Sequence, residues 1–382
     1  MRNVFLFPVL VFLAAFGSVG VALAQDPINA GSPQLTLTSG SLITPRVNQN
    51  IVSSLSNLPD ADTLIYINPQ RILNEVVPKL MPAKDVEGMR QGFEEVKKNF
   101  GVDPTKVEYI VVAVRFKKPT ADLKFQPPEA LIVASGDFSA EALMGLARMV
   151  SQGQLRDEKY GAKTIGLMTI DPIAKEAEKN PFLRNFAEIG VVALTGNTIA
   201  VGTPGYLRAA IDAGDGKGRI SAETLNSLVR DSSALISVAG RPWHSFAKSF
   251  GMMGTEANER APRCDSKIGD FYAALTMDAT NFMLRGAMNE DNPDTAKIVS
   301  NLVSGLFGYA SSSIKDPAAQ SMLKSLAIAA EGDEVIFRAD FPQQMVINLV
   351  QEQMKPKKQE DAVTAPKTPT KPRPRRRTRR RA

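Results

Sequence analysis

Between about residue 58 and residue 354, short apolar runs end in turn residues, and pairs of runs lead into stretches with helical spacing. The plainest case is Val191–Leu194, then Gly196-Asn197, then Ile199–Val201. A Gly-Asn pair between β-branched runs supplies the backbone dihedrals of a two-residue hairpin. Thr203 then stands where a helix cap is needed, Pro204 where the first helical residue belongs, and Leu207, Ala210 and Ile211 share one helical face. The same strand-strand-helix order is expected three more times. Val107–Phe116 pairs with Ala130–Ser135, before a helix opened by Ser139 and Glu141. Tyr272–Met277 pairs with Phe282–Met288, before a helix entered through Asn292-Pro293-Asp294. Leu326–Ala330 pairs with Val335–Phe341, before a helix begun at Pro342. Two further strands, Thr63–Ile67 and Ala234–Val238, each run toward a proline and a helix, and a Gly-rich stretch lies between them. The pattern predicts an α+β protein of two tandem similar halves, 58–213 and 225–354, joined through 214–224. Each half is expected to be an antiparallel sheet with helices packed on one face.

The two ends change the picture. Met1-Arg2-Asn3 precedes an uncharged apolar run, Val4 to Phe16, and the small residues Ala22 and Ala24 close it. That order describes a secretory signal peptide, residues 1–24, cut after Ala24. The competing reading is an uncleaved anchor that tethers the chain to the inner membrane. In both readings the rest of the chain is translocated, to the periplasm or beyond the cell, and cleavage leaves no integral membrane span. Residues 25–57, rich in Ser, Thr, Asn and Gln, read as a flexible lead-in. From Lys355 to the end, five lysines and seven arginines face only Glu360 and Asp361, and five prolines interrupt them. Such a segment, 355–382, has too little apolar surface to order itself. Its net charge of +10 exceeds the +6 of the whole chain, so the basic character belongs to the tail and the remainder is acidic.

Three segments resemble uncharacterised exported bacterial proteins: Leu58–Leu73, Gly101–Val112 and Ile199–Ala209. The shared motifs are strand starts, turns and helix caps. The resemblance implies export and repeated strand-strand-helix units. It implies no activity and carries over no functional residues.

Residue types narrow the chemistry. With His244 the only histidine and Cys264 the only cysteine, an intramolecular disulfide and a His/Cys zinc site are both excluded. No Gly-x-Ser-x-Gly turn presents a nucleophile to His244, which reads as a helix-face residue beside Trp243. Ser-x-x-Lys occurs at Ser245/Lys248, Ser312/Lys315 and Ser321/Lys324, without the companion elements of serine-acylating enzymes. Gly214–Gly218 follows a helix rather than a strand, and Lys217 precedes Gly, so it reads as a joint rather than a phosphate cradle. Asn289–Asp294 gathers three carboxylates beside a helix start. A cap explains it more simply than a divalent cation does. Val86–Phe100 reads as a core-facing amphipathic helix.

No catalytic, cofactor-binding or metal-ligating set emerges, and no cofactor is expected. The candidate contact residues are the tail guanidinium groups of Arg373, Arg375, Arg376, Arg377, Arg379, Arg380 and Arg381. Outside the cytoplasm their counterparts are anionic lipid, lipopolysaccharide or wall polymer, and no specific nucleic acid is expected. The residue inventory favours a non-catalytic envelope-associated scaffold or binding protein. The alternative is a periplasmic or secreted hydrolase-like enzyme with a cleft between the halves.

Overall fold

The computed structural model describes residues 55–116, 128–171, 173, 175, 186–241, 270–313 and 317–354. The leader and the tail arginines fall outside them, as do His244, Cys264, Trp243 and Ser245/Lys248. The described residues are a mixture of helix and strand, as the α+β expectation requires.

Among the described residues, twelve strands form one sheet. They are β1 (Thr63–Ile67), β2 (Val107–Arg115), β3 (Glu129–Gly136), β4 (Arg156–Tyr160), β5 (Lys163–Thr169) and β6 (Glu188–Thr195). The others are β7 (Thr198–Gly202), β8 (Ile236–Gly240), β9 (Phe271–Met277), β10 (Asn281–Asn289), β11 (Ala327–Glu331) and β12 (Glu334–Pro342). Their spatial order is β11-β12-β10-β9-β8-β1-β2-β3-β7-β6-β5-β4, and each neighbouring pair is antiparallel. The sheet is uninterrupted at its middle. β1 ladders with β8 from Thr63↔Gly240 to Ile67↔Ile236. Leu64, Ile65, Tyr66, Ile67, Ile236, Val238 and Ala239 are buried along that seam. No cleft opens there among the described residues. The stretch proposed as a joint is tied down as well: Asp60 N–H donates to Gly218 O and Ile220 N–H to Leu58 O.

Side chains alternate between the faces of a strand, so the register sorts the core into two layers. On the first face, Leu64, Tyr66, Val111, Leu131, Val133, Val192 and Ala200 meet Tyr206, Leu207, Ala210 and Ile211 of α5 (Pro204–Gly214). Leu225 and Leu228 of α6 (Ala222–Leu228) join the same layer. On the second face, Ile65, Ile67, Val238 and Phe282 meet the segment formed by α1 (Pro69–Arg71), a π turn (Ile72–Val76) and α2 (Val77–Leu80). After that segment runs α3 (Ala83–Phe100), which buries Phe93 and closes at Gly101 in the left-handed conformation (φ 67°). The second face also carries α4 (Ala140–Val150), which packs Ala140 and Met144 on Val191 and Ala193. Farther along it lie α7 (Pro293–Ser313), over Met288 and Val335, and α9 (Gln343–Met354), through Val346. The short α8 (Pro317–Lys324) connects α7 to β11.

Helices therefore cover both faces, and the one-face expectation is corrected. Val191, Val192 and Ala193 of β6 are buried in succession, so that strand is apolar on both sides and needs cover on each. α4 supplies one cover and α5 the other. Gly190 makes the second fit possible, because a Cβ there would stand 2.6 Å from Leu207 Cδ1 and 2.8 Å from Leu167 Cδ2.

The caps separate two residues that look alike in sequence. Ser139 Oγ accepts from Ala142 N–H at 3.2 Å and caps α4. Thr203 holds the same position before α5, yet makes no side-chain cap; its hydroxyl faces Ala130 O at 3.5 Å. Ser139→Ala is expected to lower stability by about 1 kcal/mol, and Ser139→Gly by only a few tenths of a kcal/mol, as denaturant midpoints would show. No loss on Ser139→Ala would contradict the cap.

Candidate functional site

Among the described residues, an enclosed polar cluster sits where β2, β3 and the start of α5 meet. Arg115 and Glu129 are direct register partners near the β2 and β3 ends. The guanidinium grips Glu129 Oε2 from Nη2 at 2.6 Å and from Nε at 3.1 Å. Glu129 is 3% exposed and the Arg115 side chain 31%. The same guanidinium lies 4.5 Å from the centre of the Tyr206 ring. Tyr206 is fully buried and donates its hydroxyl to Asp60 O at 2.9 Å. Burial pushes its phenol well above the ordinary tyrosine range. Gly205 admits the carboxylate, since a Cβ there would lie 2.4 Å from Glu129 Oε1. A negative charge at the first turn of α5 is favoured by the helix dipole. These groups lock three elements together and face one another rather than an open space.

The carboxylates of Asn289–Asp294 do not converge. Asn292 Oδ1 accepts from Thr295 N–H at 2.9 Å and caps α7, as the sequence suggests. Asp294 leans toward Lys297 at 3.8 Å, and Glu290 turns inward, 6% exposed, with neither carboxylate oxygen hydrogen-bonded. Among the described residues, no group of three or more His, Cys, Asp or Glu could hold a metal ion. Ser321 and Lys324 lie exposed on α8, with no hydrogen bond between their side chains. Lys315, of the third Ser-x-x-Lys pair, lies outside the described residues.

The glycine stretch after α5 spends its amides on the protein. Gly216 N–H donates to Ala213 O and Lys217 N–H to Asp212 O. Arg219 caps the helix C-terminus from Nε to Ala213 O at 2.7 Å. A phosphate cradle needs those donors free. Beside α6, an open depression of about 450 Å³ is lined by Glu223, Asn226, Ser227 and Arg230. Arg230 stacks 4.4 Å from the centre of the Tyr272 ring. With Glu223 and Arg230 both at its rim, the depression shows no preference for either charge.

Sequence reasoning missed the buried Glu129 and Glu290. The available signal was weak: each is an acidic residue beside a strand end, where solvent exposure is the usual outcome. The seven tail arginines lie outside the described residues. No described helix is long and apolar enough to cross a membrane.

No family model matches the chain. No curated protein matches it either. Among solved structures, the chain is similar to crystal form III of TP0453, with 10% identity over 78% of this chain and 97% of that one, at a TM-score of 0.40. Crystal form I of TP0453 gives 10% identity over 78% and 96%, at 0.37.

Proposed function

We propose that this chain is an exported, non-catalytic scaffold or binding protein of the cell envelope, held to anionic surface material by its basic tail. The observation that carries the reading is the division of charge. Residues 355–382 are net +10, whereas everything before them sums to −4. A body of that sign has no general attraction for an anionic surface, so contact falls to the tail, where Arg373, Arg375, Arg376, Arg377, Arg379, Arg380 and Arg381 concentrate guanidinium groups. The leader pattern of residues 1–24 supports translocation, and the absence of Cys after it argues against a lipid anchor at Gln25.

We also read residues 58–213 and 225–354 as a duplicated pair. Supporting this, strand order runs β1-β2-β3-β7-β6 away from one side of the midline and β8-β9-β10-β12-β11 away from the other. α4 and α7 follow the third strand of each series and share one face. The final helices diverge, α5 on one face and α9 on the other.

The test compares the mature chain with a form ending at Met354, on vesicles of anionic phospholipid and on lipopolysaccharide. The full chain should bind at low salt and release steeply as salt rises, and the shortened form should lose retention. Equal retention of both forms would overturn the tether. N-terminal sequencing of the protein from fractionated cells tests export: a chain starting at Gln25 is expected, and one starting at Met1 in the cytoplasm refutes it.

A further inference from the structure

The two edges of the sheet are built differently. β4, Arg156-Asp-Glu-Lys-Tyr, carries four charged residues in five, the usual protection of an edge strand. β11, Ala327-Ile-Ala-Ala-Glu, is apolar except for its last residue, has no proline or lysine, and pairs in regular register with β12 alone among the described residues. Its turn is Gly332-Asp333, with Gly332 at φ 65° in the first central position, so Glu331 and Glu334 form the bonded pair that closes a two-residue hairpin. Bonding to β12 then alternates along the strand. Glu331, Ala329 and Ala327 point their backbone groups inward, while Ala330 and Ile328 point theirs out.

We propose that β11 is a dimerisation edge, joining a second copy of this chain in antiparallel fashion about a twofold axis at Ala329. This goes beyond the envelope role and does not depend on it. The parity of the outward groups permits this register: Ile328 of one copy exchanges backbone hydrogen bonds with Ala330 of the second copy, and the reverse. Charge selects it. Glu331 comes to lie beside the second copy's Ala327, whose neighbour within its own sheet is Arg338. Within one chain Arg338 already reaches Glu331 at 3.2 Å, with both side chains partly exposed. Across the joint the two residues are about two strand spacings apart, within reach of an extended guanidinium. Small side chains leave room on the first face, where Ala327, Ala329, Glu331, Ile336 and Arg338 line a shallow groove. On the second face the copies of α7 flank the joint, each with Ile298 at 68% and Leu302 at 58% exposure.

Light scattering after size exclusion, and sedimentation over a range of concentrations, test this on the mature chain. The wild type is expected to be dimeric. Ala330→Pro removes only an outward N–H and should give a folded monomer with an unchanged circular dichroism spectrum. Glu331→Arg should weaken the dimer by about tenfold or more, and Glu331→Arg with Arg338→Glu should restore it. If Ala330→Pro fails to fold, the charge pair decides. A wild type that stays monomeric at the highest concentration overturns the proposal. So does a folded Ala330→Pro that dimerises as tightly, or a charge reversal without effect.

Discussion

Arg115→Ala is expected to destabilise the fold by about 3 kcal/mol, the largest effect of any single replacement considered, read as a lower urea midpoint at unchanged slope. The cause is the company it leaves. Glu129 is 3% exposed and held from two guanidinium nitrogens, so truncation takes both of those charge-assisted bonds from a buried carboxylate. The ring of Tyr206 loses the cation 4.5 Å from its centre at the same time. Arg115 itself is 31% exposed, and water partly compensates, which keeps the loss at the low end for a broken buried pair. The control is Arg115→Met with Glu129→Gln. Removing both charges while keeping volume should recover most of the stability, because desolvation offsets much of what an ion pair contributes. A single-variant loss under about 1 kcal/mol would mean that the Arg115 pair contributes little to holding Glu129 in place.

Local features were legible because their causes are local. Ser139 and Asn292 cap their helices, and most strand limits fall within a residue or two of expectation, although β6 starts three residues early, at Glu188. Gly196-Asn197 forms the turn between β6 and β7, but neither residue takes a positive φ, and the ladder shifts register between Ala193 and Thr195. The hairpin of β4 and β5 escaped because Arg156-Asp-Glu-Lys has no apolar alternation; its only marks are Gly161 at φ 56° and the run Ile165–Met168. Pairing of β1 with β8 joins residues some 170 positions apart, and no local signal encodes that contact. The face taken by each helix was half legible. The unbroken burial of Val191, Val192 and Ala193 demands two covers, but periodicity shows only that a helix has an apolar side, not which side of the sheet receives it. Thr203 shows the limit of cap reading: the residue type is right, and contact with β3 takes its hydroxyl instead. The proposed contact site is the reverse case. The charge of the tail is plain in the sequence, and its arginines lie beyond the described residues.

Glu290→Gln is expected to make the protein more stable than the wild type at neutral pH, with the advantage lost in acid. Glu290 follows β10, where its N–H donates to Asp333 O at 2.8 Å while its carboxyl turns into the interior without a hydrogen bond. Burial, with repulsion from Asp291 added, pushes the carboxyl above its ordinary range. The folded protein therefore holds this proton more tightly than the unfolded chain does. Below the ordinary carboxylate range both states are protonated, and the site's stability is fully present. As pH rises, the unfolded chain ionises first and stability falls, levelling off once the folded-state value is passed. Glutamine keeps the shape and removes the ionisation. Melting temperatures near about pH 4 should thus nearly coincide for wild type and variant, then separate toward neutrality with the variant higher. Identical pH slopes would show that the Glu290 carboxylate is solvated or paired in the folded protein, and would return the acidic run before α7 to the role of a simple cap.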